Sequence, residues 1–151
     1  MRNATIDILL VEDNRDDADI TLRAIRKTRA STRVLVVRDG QEALDFLFGD
    51  GPYAGGNRPD APRVILLDLK LPKMDGHEVL RRIKRDPRTQ SIPVVMLTSS
   101  GETRDIEESY RSGANSYIVK PIDFDELVES MRVVAQYWLS QNQLAWAVGL
   151  A

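Results

Sequence analysis

The chain contains no cysteine and a single histidine, His77. Disulfides, thiol nucleophiles and cysteine metal centres are therefore excluded, and no second imidazole exists to share a metal. His77 stands beside Glu78 at the start of a helical segment and reads as an exposed polar position. Charge of one sign is also lacking: 21 Lys and Arg face 23 Asp and Glu, for a net charge of -2. Nothing in that balance favours nucleic acid or an anionic membrane as a partner. No apolar run approaches the roughly 20 residues of a membrane span. The opening Met1-Arg2-Asn3-Ala4-Thr5 runs straight into an apolar segment and leaves no room for a signal peptide. A cytoplasmic location is expected. Neither an internal repeat nor a low-complexity tract is present. At 151 residues, 42% hydrophobic and 29% charged, the chain is long enough for one globular domain with a substantial core.

What is present is a set of short apolar runs, each closed by a polar residue. Ile8-Leu9-Leu10-Val11 ends in Glu12-Asp13, and Val64-Ile65-Leu66-Leu67 ends in Asp68. Val94-Val95-Met96-Leu97 ends in Thr98, and Tyr117-Ile118-Val119 ends in Lys120-Pro121. Runs of this length between helical patterns predict buried parallel strands. Strands are expected at 6–11, 34–37, 64–68, 94–97 and 117–119. Helices are expected at 14–29, 41–48, 78–85, 103–111 and from Asp123 onward, where Glu126 completes a capping-box-like pattern. The last helix carries a periodic apolar face of Phe124, Leu127, Val128, Met131, Val134 and Trp138. Residues 49–62 hold four Gly and three Pro and read as a loop. Five strand-helix units predict an α/β, flavodoxin-like (βα)5 doubly wound parallel sheet in the order 2-1-3-4-5.

Open sheets of this kind place their chemistry beyond the carboxyl ends of the strands. In that order strands one and three are neighbours, so Glu12, Asp13 and Asp68 crowd together. Like charges so close raise one another's pKa and strain the site unless a cation relieves them. A set of hard carboxylate oxygens suits Mg²⁺. Taken singly, Asp13 reads as a helix cap and Asp68 as a strand terminator. Together with Thr98 and Lys120 on further strand ends, they make a site suited to phosphoryl transfer. Ser99 and Ser100 read as loop residues lining it.

The motifs Val11-Glu12-Asp13-Asn14, Leu67-Asp68-Leu69-Lys70-Leu71-Pro72-Lys73-Met74-Asp75-Gly76, Leu97-Thr98 and Lys120-Pro121 resemble the receiver domain of two-component response regulators. The resemblance spans residues 6–138. It implies that Asp68 accepts a phosphoryl group from a phosphohistidine on a sensor histidine kinase. It further implies that Asp13, Asp68 and the Lys70 backbone carbonyl coordinate Mg²⁺, with Glu12 acting through water. Thr98 and Lys120 would bind the transferred oxygens, Thr98 and Tyr117 would form a switch, and a cis Lys120-Pro121 peptide would aim the lysine.

Two other classes share parts of this site. A haloacid-dehalogenase-like phosphatase needs an acidic residue two positions after the nucleophile, where this chain has Lys70. A flavodoxin-like FMN carrier needs a neutral phosphate loop after strand one, where Glu12-Asp13-Asn14-Arg15-Asp16-Asp17 would repel the ligand.

The receiver is expected to occupy 1–139. Thirteen residues follow Trp138, too few for a DNA-binding module, so output through protein contact or phosphorelay is expected. The loop at 49–62 and the Tyr137-Trp138-Leu139 ending resemble stand-alone regulators that work with phytochrome-type sensors. The tail at 140–151 is apolar, and Tyr137, Trp138, Leu139 and Trp146 are expected to form a homodimer interface.

Overall fold

The computed structural model describes residues 6–56 and 61–145. Five strands, β1 (Ile8–Val11), β2 (Val34–Val37), β3 (Val64–Leu67), β4 (Val94–Thr98) and β5 (Ser116–Val119), pair in parallel in the order β2-β1-β3-β4-β5. This is the expected flavodoxin-like order. The helices between and after them are α1 (Arg15–Thr28), α2 (Gly40–Phe48), α3 (Gly76–Arg85), α4 (Thr103–Arg111) and α5 (Phe124–Gln136).

Strand alternation divides the core into two layers. Leu9, Val11, Ile65, Leu67 and Met96 pack under α2 and α3, while Ile8, Leu10, Leu66, Val95 and Leu97 pack under α1 and α5. Both faces are covered, which is why the strands lack polar alternation. Helix starts follow from acceptor side chains: Asn14, Asp39, Asp75 and Asp123 each accept the N–H three residues on. α4 ends in a Schellman motif, with Gly113 at φ 106°, its N–H on Tyr110 O and the Ala114 N–H on Ser109 O. The 49–62 loop is not wholly irregular, since Gly51–Gly56 holds short 3-10 turns broken by a kink at Ala54 and Gly55, and its Tyr53 packs edge-on against Phe46.

The end of α5 departs from the expected helical face. Tyr137–Gln141 forms a π-helical turn, closed by the Asn142 N–H on Tyr137 O at 2.7 Å. The wider turn rotates the following side chains. Leu139, not Trp138, therefore completes the face of Leu127, Met131 and Val134, and it is buried with them. Trp138 is half-buried at the margin with Tyr137 edge-on to it, and Tyr137 itself is exposed. The assignment of Leu139 to an intermolecular interface is thus corrected: its contacts are intramolecular. Leu144 is buried as well, so the first part of the tail folds back onto the domain. Trp146 lies outside the described residues.

Candidate functional site

The register brings the strand ends level. Val11 pairs with Leu67, so Glu12-Asp13 and Asp68 emerge side by side, tied by Asp68 N–H to Val11 O at 3.2 Å. One carboxylate oxygen from each of Glu12, Asp13 and Asp68 lies within 4.8 Å of the others. Glu12 is buried, Asp68 half-buried and Asp13 exposed. Burial raises the Glu12 pKa above its ordinary value of 4.5, and the Asp68 charge adds to this against the opposing pull of Lys120.

Lys120 crosses from β5 and donates from Nζ to Glu12 Oε1 at 2.7 Å, with Asp17 Oδ2 at 4.0 Å. Every peptide bond among the described residues is trans, Lys120-Pro121 included. The expected cis peptide is therefore corrected. The lysine stem spans the gap in the trans form, which an X–Pro bond favours by about 0.5–1 kcal/mol.

Thr98 ends β4, and its Oγ1 is buried with no hydrogen-bond partner among the described residues. A buried hydroxyl without a partner costs about 1–3 kcal/mol, so it marks a position suited to an added acceptor. Tyr117 pairs in register with Met96, which puts it on the face that Met96 shares with Thr98. Its hydroxyl donates to Ser100 O at 2.8 Å, and burial, with the charges of Asp105, Asp68 and Glu102, lifts its pKa above 10.

The β3–α3 connection carries Lys70, whose side chain is exposed and whose carbonyl takes no hydrogen bond among the described residues. Lys73 adopts φ 68° in a tight turn closed by Met74 N–H on Pro72 O at 2.7 Å. Gly76 returns the chain: its N–H bonds Leu69 O at 2.7 Å, and a Cβ there would sit 2.2 Å from Asp68 O. Only glycine permits this approach, so Gly76 fixes where the Asp68 backbone stands.

Some site features were not anticipated. Ser100 is a hydrogen-bonding hub rather than a plain loop residue: its Oγ donates to Asp105 Oδ2 at 2.5 Å and accepts from Glu102 N–H at 3.3 Å. His77 is not an exposed polar residue but half-buried, with Nε2 3.1 Å from Ser109 Oγ on α4. The His77 contact joins segments 32 residues apart, and no local pattern announces it, whereas the Ser100 bonds are local, to residues two and five positions on.

The three clustered carboxylates fit a hard divalent cation by donor chemistry, and the Lys120 ammonium is bonded to one of them, Glu12. Carboxylates from β1 and β3, a hydroxyl from β4 and a lysine from β5, gathered at one edge of a 2-1-3-4-5 sheet, define a signalling domain of the two-component type. The chain belongs to the response regulator receiver domain family, whose model matches residues 8–132. It is 44% identical over 136 residues to the probable methanogenesis regulatory protein FilR2 of Methanothrix harundinacea, covering 90% of this chain and 85% of that protein. The crystal structure of the phosphorylated cyanobacterial phytochrome response regulator RcpA superposes with a TM-score of 0.83 at 42% identity, covering 93% of this chain and 99% of that one. The Mn²⁺-bound form of response regulator Rcp1 gives a TM-score of 0.80 at 36% identity, over 92% and 98% of the two chains. Among the described residues no helix is long and apolar enough to cross a membrane.

Proposed function

We propose that the chain is a response regulator whose Asp68 accepts a phosphoryl group from the phosphohistidine of a sensor histidine kinase. The observation that carries this reading is the buried, unpartnered Thr98 Oγ1 at the strand end next to the three-carboxylate cluster. An Asp68 oxygen attacks phosphorus, the P–N bond to the kinase imidazole breaks, and an acyl phosphate forms. Phosphoryl transfer needs little covalent help from the protein, so positioning and charge neutralisation carry the rate. Asp13, Asp68 and the Lys70 carbonyl, with Glu12 through water, would hold Mg²⁺, which supplies charge neutralisation to one phosphoryl oxygen. Lys120 shifts from Glu12 to a second oxygen as a point charge, and the Thr98 hydroxyl donates to a third.

RcpA is a phytochrome response regulator and is phosphorylated in its crystal structure, which supports a phytochrome-type sensor as the kinase here. A cleft of about 530 Å³ beside Lys120, rimmed by Ile20, Ile122 and Phe124, offers the kinase an apolar landing next to the acceptor. Output then passes through protein contact or phosphorelay. The chain acts as a phosphoacceptor and assists only its own transfer and dephosphorylation. Val133 and Tyr137 are exposed apolar residues on the outer side of α5 and its continuation, and they support a homodimer built on that edge. Mass spectrometry after treatment with acetyl phosphate and Mg²⁺ tests the acceptor: one phosphoryl mass is expected on the wild type and none on Asp68→Asn. Labelling that persists in the Asn variant, or at full extent in chelator, rejects the assignment.

A further inference from the structure

One stretch of the surface concentrates positive charge in a chain whose net charge is -2. Arg26, Lys27, Arg29 and Arg33 stand in a segment, 26–33, that holds no acid, and all four are exposed. Arg26 and Lys27 lie in the last turn of α1, where cations complement the helix dipole. Arg29 and Arg33 lie beyond the helix, where that reason does not reach. Between them the chain turns at Ala30-Ser31, closed by the Thr32 N–H on Arg29 O at 3.1 Å. Three residues of this segment carry hydroxyls, and two of these are already engaged. Thr28 Oγ1 donates to Ile25 O and the buried Thr32 Oγ1 to Arg29 O, each at 2.8 Å. Ser31 is exposed, and its hydroxyl makes no hydrogen bond among the described residues.

That serine borders a cleft of about 210 Å³ lined also by Asp7, Arg29, Thr32, Arg63 and Leu139. Arg63 donates from Nη1 to Leu139 O at 3.1 Å, while its Nε is buried without a hydrogen-bond partner, the Asp7 carboxylate lying 3.6 Å away. The other Asp7 oxygen accepts the Arg33 N–H at 2.9 Å. Two guanidinium groups therefore face one carboxylate that is already shared. We propose that Ser31 is a phosphorylation site for a protein serine kinase selective for cationic segments, and that Arg29 and Arg63 hold the phosphoryl group once it is attached. In the transfer Ser31 Oγ attacks the γ-phosphorus of ATP, the bond to the β–γ bridging oxygen breaks, ADP leaves, and the hydroxyl proton passes to a carboxylate of the kinase. Cations on both sides of the serine complement the acidic groove of such an enzyme. Guanidinium forks bind phosphate oxygens in pairs, and a phosphoserine set against an Arg cluster orders the segment that carries it. The carbonyl end of α1 opposes the new charge, but the helix dipole fades within the last turn and Ser31 lies three residues past Thr28. Asp7, Ser31 and Arg63 each precede a strand of the parallel sheet, so this site stands at the opposite pole from Asp68 and does not draw on it.

Incubating the full chain with ATP and Mg²⁺ in an extract of the cells that produce it, followed by hydroxylamine, tests the site. Hydroxylamine cleaves an acyl phosphate and leaves a serine phosphate, so the readout does not depend on Asp68 as the acceptor. Mass spectrometry is expected to find one stable phosphoryl group on Ser31. It should be absent from Ser31→Ala and added several-fold more slowly to Arg29→Gln. No stable phosphoryl group, or one on Thr28 or Thr32 in place of Ser31, overturns the site, and an unchanged rate in Arg29→Gln overturns recognition by charge. Phosphorus NMR reads the hold on the product. The second pKa of the phosphoserine, about 6 in an unstructured chain, is expected about one pH unit lower in the folded protein than in the same protein in urea. Arg63→Gln should remove most of that difference, and a difference that survives it overturns the part given to Arg63. Equal values in the folded and unfolded wild type overturn the hold altogether, and that comparison decides even if Arg63→Gln does not fold.

Discussion

Replacing Asp68 with Asn should make the metal-free protein more stable, although it removes the proposed phosphoacceptor. The cause is the crowding of Glu12, Asp13 and Asp68, with one oxygen of each within 4.8 Å of the others. Two unit charges at 4.8 Å repel by about 3.5 kcal/mol at an effective dielectric of 20 and about 0.9 kcal/mol in bulk water. Asp13 is exposed and Asp68 only half-buried, which pulls the value toward the lower bound. Lys120 already offsets much of the Glu12 charge through its 2.7 Å bond. A gain of about 1–2 kcal/mol is expected, equivalent to roughly 2–8 °C in Tm for a chain of this size. The assay is urea unfolding of the wild type and of Asp68→Asn, each in chelator and in millimolar Mg²⁺. In chelator the Asn variant should unfold at higher urea. Added Mg²⁺ should stabilise the wild type by binding linkage and the variant by less, because a ligand charge is gone. An Asn variant less stable than the wild type in chelator, or an equal Mg²⁺ increment in both proteins, would refute the argument.

Other outcomes follow from the same geometry. Lys120→Met strands the Glu12 carboxylate and should cost about 3–5 kcal/mol at neutral pH. The native Glu12 pKa is raised by burial above 4.5, so the folded state holds this proton more tightly and stability falls as pH rises from 4.5 through the native value. The cost of Lys120→Met should therefore shrink in unfolding curves near pH 5 compared with pH 8, and a pH-independent difference would count against the pair. Gly76→Ala drives a Cβ to 2.2 Å from Asp68 O; about 1–3 kcal/mol of stability should be lost, with slower acetyl phosphate labelling as the Asp68 backbone moves. Leu139→Ala should cost about 2–5 kcal/mol in thermal unfolding of the monomer, while Tyr137→Ala should leave it nearly unchanged and, on light scattering, weaken self-association. Equal effects of the two would contradict the π-turn packing.

The strands, their order and the convergence of Glu12, Asp13, Asp68, Thr98 and Lys120 were legible in the chain, because each depends on short-range pattern. Apolar runs of three or four residues closed by a polar one are a local signal, and parallel connection through helices leaves few arrangements. The cap at Asp123 was legible for the same reason, since the cap and the Glu126 N–H it accepts stand three residues apart, whereas α1 is capped by Asn14 rather than Asp13 and α3 by Asp75, which had read only as part of a turn. Tertiary structure alone decided the rest. The π-helical turn that exchanges Trp138 for Leu139 breaks the period on which the sequence reading relied, and it depends on how α5 lies on its layer of the core. The trans Lys120-Pro121 bond reflects a small free-energy difference that local sequence does not settle. His77 and Ser109, 32 residues apart, and Ser100 and Tyr117, 17 apart, meet only because α3, α4 and β5 pack side by side. Hydrogen bonds between elements follow from packing geometry rather than sequence period, so the seat of α4 was invisible until the helices were in place.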